Sequence, residues 1–472
     1  MHRKTGRPLR KWLVALLIFA GVLATLPAFL NLNRYRGRIE EAASKALNMT
    51  VRIRGGIGFS VLPFLKINMN DVHIANRGRE LFSAAGISIA PDLRALVLNK
   101  NFQVRGIALN KPVIFIEKDR DGIYNFETGS EAGSGQSLPL SSFSVKNGEA
   151  VYLDAMTGER DFVKGLDARI KIQPGGTGQK GFFFTGSLRA SGSVRLKSLQ
   201  IDNVYAYDLN SGIRCEKGVI DFSQIRAGFY GGKAEGSLRI ETAGDDTRFK
   251  LEQKLSGVDL EQLLPEHERR LRGKLDAGVD LAAEERDGQG LSRNLRGEIS
   301  AKGKDITIKT VDIDKVIEKY ERSQNFNLLD IGSVFVAGPF GPLLTKGYAY
   351  ADLYRQVGRG ESRIREFVSA WRIEKGIAEA RDVAFSTRKN RVAFRGGLDL
   401  VNERYQDFTV AVLDKKGCAR IKQEITGPFN NPKPAGIGAK AVIAPLESIF
   451  SKVKNLVAPS CKPFYTGSVR QP

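Results

Sequence analysis

From Thr50 almost to its end the chain alternates apolar and polar residues with a period of two. Val51-Arg52-Ile53-Arg54, Leu65-Lys66-Ile67-Asn68-Met69 and Val72-His73-Ile74 begin the pattern. Ala168-Arg169-Ile170-Lys171-Ile172, Val194-Arg195-Leu196-Lys197, Leu238-Arg239-Ile240 and Arg248-Phe249-Lys250-Leu251-Glu252 continue it, followed by Ile306-Thr307-Ile308-Lys309 and Arg391-Val392-Ala393-Phe394-Arg395. Successive side chains of a strand point to opposite faces, so each segment has one apolar and one wet face, the latter rich in Lys and Arg. Turn signals separate the segments: Asn76-Arg77-Gly78, Asp119-Arg120-Asp121-Gly122, Lys146-Asn147-Gly148, Asp287-Gly288 and Lys416-Gly417. This spacing predicts antiparallel hairpins rather than βαβ crossovers. Some 25 strands about 4.8 Å apart would build a body on the order of 120 Å long.

One unit recurs. Lys146-Asn147-Gly148, Glu216-Lys217-Gly218 and Glu374-Lys375-Gly376 each place a glycine after polar residues and before a strand, and Gly236 and Gly397 each open a further strand. Glycine suits a turn that needs positive φ, so these read as repeated hairpins without a fixed period. Pro91, Pro112 and Pro139 punctuate strand starts or edges. Gly129 to Ser137 (GSEAGSGQS) is a flexible linker and the best internal boundary. Gly175 to Gly181 superficially resembles a phosphate loop, but the Ser/Thr after Lys180 is missing, and it reads as a hairpin loop.

The alternation breaks in a few places. Trp12 to Leu32 is an uncharged run of 21 residues, roughly 31 Å as a helix and long enough to cross a hydrocarbon core. Arg3, Lys4, Arg7, Arg10 and Lys11 precede it with no acid among them, which assigns that flank to the cytoplasmic side. A retained anchor is the expected reading; a cleaved signal peptide and a core helix are the alternatives. Arg34 to Leu47 then reads as an amphipathic helix with Ile39, Ala42, Ala43, Ala46 and Leu47 on one face. It either lies on the membrane, with Arg34, Arg36 and Arg38 on lipid phosphates, or plugs one end of the following sheet. Short helices are also expected at Leu260 to Leu271, Ile313 to Tyr320, Ser362 to Trp371 and Leu446 to Leu456.

The net charge of +21 invites a nucleic-acid reading, but eight of these charges precede the first acid, Glu40, and the remainder is thinly spread. It reads as a solvated face, with headgroup phosphates the best functional alternative. His2, His73 and His267 stand in unrelated contexts, and neither they nor Cys215, Cys418 and Cys461 have metal-site spacing. No paired carboxylates stand out. We therefore expect no enzyme, catalytic residue, metal or cofactor.

The anchor followed by Arg34-Tyr-Arg-Gly-Arg-Ile39 heads an ordered series of blocks. They include Asp71-Val-His-Ile-Ala-Asn76, Lys111-Pro-Val-Ile-Phe-Ile-Glu-Lys-Asp-Arg-Asp-Gly122, Asn147-Gly-Glu-Ala-Val-Tyr-Leu-Asp154 and Phe229-Tyr-Gly-Gly232. Phe326-Asn-Leu-Leu-Asp330, Asp382-Val-Ala-Phe-Ser-Thr387, Leu413-Asp-Lys-Lys-Gly-Cys418, Ile425-Thr-Gly-Pro428 and Cys461-Lys-Pro-Phe-Tyr465 complete the series. Over nearly the whole chain these resemble the AsmA family of inner-membrane-anchored periplasmic proteins. The resemblance implies a β-rich periplasmic body related to bridge-like lipid-transfer proteins and a role in outer-membrane homeostasis. It also implies a Cys418–Cys461 disulfide at the C-terminal end, which leaves Cys215 as a buried thiol.

The expected fold is therefore mainly β: an N-terminal transmembrane helix, then a long, twisted, mostly antiparallel sheet curled into a groove, with a few short helices. Periodicity alone fits a closed sandwich or barrel as well; the resemblance favours the open groove. Expected segments are 1–33 (cytoplasmic N-terminus and anchor), 34–137 (membrane-proximal), 138–295 (middle groove) and 296–472 (C-terminal). Ile170, Ile172, Val194, Leu196, Phe249 and Leu251 are the candidate lipid-facing residues. The expected partners are inner-membrane phospholipid and, at the far end, outer-membrane lipid or an outer-membrane protein; nucleic acid is not one. A scaffold that assists outer-membrane protein insertion is the alternative function.

Overall fold

The computed structural model describes residues 31–60, 65–92, 104–127, 140–173, 189–202, 204–243, 246–263, 271–285, 291–309, 311–323, 360–435 and 461–472. The chain is mainly β and divides into two units: Met1–Asp202 with Tyr207–Asp221, and Asn203–Ala206 with Phe222–Pro472.

The first unit opens with a 3-10 turn, Leu32–Tyr35, and helix α1, Arg36–Leu47. The helix plugs the start of the sheet. Strand β1 (Thr50–Ile53) pairs with β3 (Lys66–Asn76), and helix side chains satisfy N–H groups along β1: Val51 N donates to Ser44 Oγ (2.9 Å) and Ile53 N to Glu40 Oε1 (2.6 Å). Polar side chains thereby take the acceptor role a neighbouring strand would supply. Ile39 and Ala43 pack on β1 and β3, while Ala42, Ala46 and Leu47 are exposed, so only part of the expected apolar face is used.

Short β2 (Ile57–Ser60) pairs antiparallel with β3, as does β4 (Arg79–Pro91). Arg77 and Gly78, at φ 49 and 80, make the expected tight hairpin between β3 and β4. Strand β5 (Val104–Lys118) continues the antiparallel order, but β6 (Ser142–Asp154) runs parallel to it. This corrects the expectation of hairpins throughout. Lys146-Asn147-Gly148 is a second correction: it lies inside β6, where Asn147 at φ 51 marks a bulge rather than a turn. Pro112 likewise sits inside β5, beside Lys111 at φ 47, while Pro91 ends β4. Strands β7 (Arg160–Gln173) and β8 (Arg189–Ile201) follow, antiparallel.

Strands β9 (Val204–Glu216) and β10 (Val219–Phe229) flank the turn at Lys217-Gly218, whose φ values of 51 and 77 match the predicted hairpin. The second unit continues with β11 (Gly232–Ala243), β12 (Asp246–Asp259), β13 (Leu271–Glu285) and β14 (Arg296–Ile308), each antiparallel to the next. Gly236 lies within β11 rather than opening it. Helix α2, Ile313–Ser323, is the one predicted from Ile313.

Ser362 to Trp371 is not a helix but most of strand β15, Ser362–Glu374. Its apolar spacing (Ile364, Phe367, Val368, Trp371) fits a helical period. The residues instead pair on both sides, with β14 and with β16 (Ile377–Ser386), where tertiary pairing overrides the local signal. Lys375 and Gly376, at φ 50 and 76, turn between β15 and β16. The antiparallel order ends with β17 (Arg391–Asp399), β18 (Arg404–Leu413), β19 (Ala419–Thr426) and β20 (Lys433–Ala435). Gly397 lies inside β17.

Twenty strands are present among the described residues, against some 25 expected. Residues 260–262 form a turn and β13 starts at Leu271. The rest of the helix expected there, the linker Gly129–Ser137, the loop Gly175–Gly181, Asp287-Gly288, Pro139 and the helix Leu446–Leu456 lie outside the described residues. So does nearly all of the run Trp12–Leu32; among the described residues no helix is long and apolar enough to cross a membrane.

Candidate functional site

The feature of interest is an apolar sheet face that its own chain leaves half-covered. In the first unit the register aligns apolar residues strand by strand. One row is Phe59–Ile67–Ile89–Ile107–Phe143–Ile170–Gly192, across β2, β3, β4, β5, β6, β7 and β8. The next is Ile57–Met69–Ile87–Leu109–Val145–Ala168–Val194 on the same strands. The interleaved row, on the opposite face, is Gly58–Asn68–Ser88–Ala108–Ser144–Arg169–Ser193. The two faces are thus separated by chemistry over seven strands.

Strict alternation would end these rows mid-strand. In β3, Ile67 and Met69 are out of phase with Val72 and Ile74. Asp71, at φ 52, absorbs the offset. Both pairs then face one side, where buried Val72 shares a cluster with Ile67, Met69, Ile74 and Ile87. Lys111 in β5, Asn147 in β6 and Gly165 in β7 also have positive φ (47, 51 and 64). Lys111 and Asn147 lie side by side between the matched pairs Asn110↔Lys146 and Val113↔Glu149. Bulges bend the strands they occupy, so a line of them creases the sheet along its stacking direction. Beyond the crease a further row, Ile74–Phe82–Ile114–Ala150–Val163–Leu199, continues the lining.

The second unit repeats the pattern and then closes it. Ile240–Phe249–Ala283 and Leu238–Leu251–Leu281–Gly297–Ile373 form rows on one face. At β11 and β12 these residues are half-buried; at β15, Ile373 is 2% exposed. From there the core is dry. Helix α2 brings Ile313, Val316 and Ile317 onto a cluster with Ile364, Phe385, Val392 and Phe408. The helix is latched by Asp314, whose Oδ1 accepts from Thr387 Oγ1 and from Asn390 Nδ2 (2.8 Å), and Arg420 joins it by bonding Asn390 Oδ1 (2.8 Å) and pairing with Glu321 (3.3 Å).

The predicted lipid-facing residues fall on these faces. Ile170, Ile172, Val194 and Leu196 come together in the first unit, on β7 and β8; Phe249 and Leu251 lie on β12 in the second. All six are half-buried. Residues missed were the lining contributed by β2, β3, β4 and β5, such as Ile87, Ile89, Ile107 and Leu109. They alternate with Ser88 and Ala108 instead of charged residues, so their contrast is weaker, although the period-two signal is there.

The three arginines near the N-terminus separate into two roles. Arg34 and Arg38 are exposed. Arg36 is turned inward: its Nη2 donates to Gly55 O (2.8 Å) and Asn33 Oδ1 (3.1 Å), which ties α1 to the β1–β2 connection. Cys418 and Cys461 form the disulfide, and Cys215 is a half-buried free thiol whose pKa burial pushes up. Asp414, Cys418 and Cys461 bring ligand-type atoms within 4.8 Å of one another, but both sulfurs are used in the disulfide.

The AsmA family model matches residues 2–147 and 187–383. The chain belongs to the AsmA family. No curated protein and no solved structure matches it. The matched stretch of this AsmA-family chain includes the apolar rows of the first unit from β2 to β6, and in the second unit the rows of β11 to β15.

Proposed function

We propose that the protein carries or shields lipid between the inner and outer membranes, holding acyl chains on its apolar sheet faces, and so supports the outer membrane. The run Trp12–Leu32 anchors it in the inner membrane with the body in the periplasm. The observation that carries this reading is the pair of unbroken apolar rows from Phe59 and Ile57 to β8, half-exposed and backed by a polar face. A face built to be covered by its own chain becomes dry, as β15 and β16 do; this one does not. Acyl chains lying across the strands would cover it, each buried methylene contributing about 0.8 kcal/mol. Membership of the AsmA family supports the same role. No bond is made or broken, so the mechanism needs no catalytic residue.

Photo-crosslinkers at Ile172, Leu196 and Phe249 test it in intact cells. Lipid adducts are expected there and not at Arg169 or Lys250, which lie on the wet faces. Protein adducts alone at the apolar positions would sink the proposal.

One observation favours a second reading, a scaffold for outer-membrane protein insertion. On the otherwise polar face of β5, β6 and β7 the row Phe115–Val151–Phe162 is apolar, with Leu153 beside it, and Phe115 and Leu153 are 37% and 38% exposed. Such an island is a surface for protein contact. Crosslinkers at Phe115 that trap an outer-membrane protein, with the apolar face free of lipid, would establish that reading instead.

A further inference from the structure

The face of β15–β18 turned away from helix α2 is lined with small side chains. Val368, Ala384, Ala393 and Ala411 form one row across the four strands, and the three alanines are fully buried. Residues 461–472 cover this row without forming a strand, so no backbone ladder holds them. Tyr465 and Val469 supply the apolar cover.

Asp382 is the hub of the polar contacts. Its carboxylate accepts from Tyr465 OH, from Ser468 N (3.1 Å) and from Ser468 Oγ (2.7 Å). Arg391 donates to Val469 O (3.1 Å) and lies over the Tyr465 ring at 5.6 Å, while Phe464 N and Tyr465 N donate to Gly417 O (2.8 and 3.1 Å). The covalent hold is at the segment's first residue, where exposed Cys461 is bonded to buried Cys418.

We propose that residues 461–472 are a thiol-gated strap. With the disulfide closed the strap is docked and the C-terminal sheet is covered on both sides. A dithiol reductant opens it. Its thiolate attacks Cys461 Sγ, the accessible sulfur, and the S–S bond breaks with Cys418 leaving as a thiolate that takes up a proton. The reductant's second thiol then closes its own disulfide and releases Cys461, which is protonated in turn. Two electrons pass from the reductant to the two cysteines. The tether closes a separation of 43 residues, and its loss lowers the ratio of docked to undocked strap by up to about a thousandfold. The row Val368–Ala384–Ala393–Ala411 then faces water. The gate is independent of whether the apolar faces bind lipid.

Hydrogen exchange on the full chain with and without dithiothreitol tests the gate. On reduction, confirmed by mass, the amides of Phe464, Tyr465, Ser468 and Val469 should exchange up to about a thousandfold faster, while those of β17 and β18 stay protected. Cys461→Ser should reproduce this without reductant. Asp382→Asn in the oxidised protein should raise strap exchange less than about tenfold, because the tether still holds. Unchanged strap protection after reduction, or loss of protection in β16–β18 together with the strap, would overturn the proposal. So would oxidised Asp382→Asn exchanging as fast as the reduced protein.

Discussion

His73 sits between two carboxylates, with Nδ1 2.6 Å from Glu80 and Nε2 2.9 Å from Asp71. The bond to Glu80 is the main cause raising its pKa above 6.5, aided by Asp71 and opposed by burial and by Arg54. A raised folded value means that protonated His73 stabilises the sheet below the unfolded value and that this contribution disappears as pH rises through the folded value. Between about pH 6 and pH 8 the wild type should therefore lose a melting-temperature increment that His73→Gln lacks. The partners are well exposed, so the difference is small, about 0.5 kcal/mol. Asp314 should matter more. Its carboxylate accepts from buried Thr387 and Asn390, and Asp314→Ala leaves both donors without it. Denaturant unfolding should show a loss of about 2 kcal/mol, with faster exchange in α2.

At the scale of elements, the distinction that matters is between a face that is covered and one that is not. Ile317 in α2 is 1% exposed in the dry core, whereas Ile170 on β7 is half-buried with no element over it among the described residues. Ile317→Ala should cost about 2–4 kcal/mol, cavity included. Ile170→Ala should cost less than about 1 kcal/mol in unfolding measured without lipid, and a loss as large as that of Ile317→Ala would show that the face is ordinary core. The strands and most hairpins were legible because period two and Lys-Gly or Arg-Gly turns are local signals. The covering of each face was not, because alternation is the same whether the partner is a helix, the strap or nothing. The crease was hidden for a related reason. Asp71 reads as a polar residue between two strands, and only its positive φ shows that Ile67 and Ile74 belong to one strand and one face. At Asn147 the same geometry imitated a hairpin turn. Ser362–Trp371 failed differently: its spacing fits both periods, and pairing with β14 and β16 decided between them.

At the scale of the whole molecule, much of the net charge of +21 is concentrated before Glu40, around the uncharged run Trp12–Leu32. On the proposed function this run does more than deliver the protein to the periplasm. A lipid carrier has to receive cargo at a bilayer, and α1, with exposed Arg34 and Arg38, follows the run directly while closing the start of the first sheet. Anchor and sheet are therefore joined by a docked helix, held by Glu40, Ser44 and Arg36, rather than by a loose linker. Replacing residues 1–33 with a cleavable signal should leave the body folded, with unchanged circular dichroism and an intact disulfide, yet fail to restore the outer-membrane barrier in a deletion strain assayed by detergent sensitivity. Breaking the helix contacts with Glu40→Ala and Ser44→Ala in the anchored protein should give a partial loss, because the sheet keeps its membrane but not its fixed approach to it. Full complementation by the released body would reduce the run to an address and would require lipid to reach the apolar face from solution.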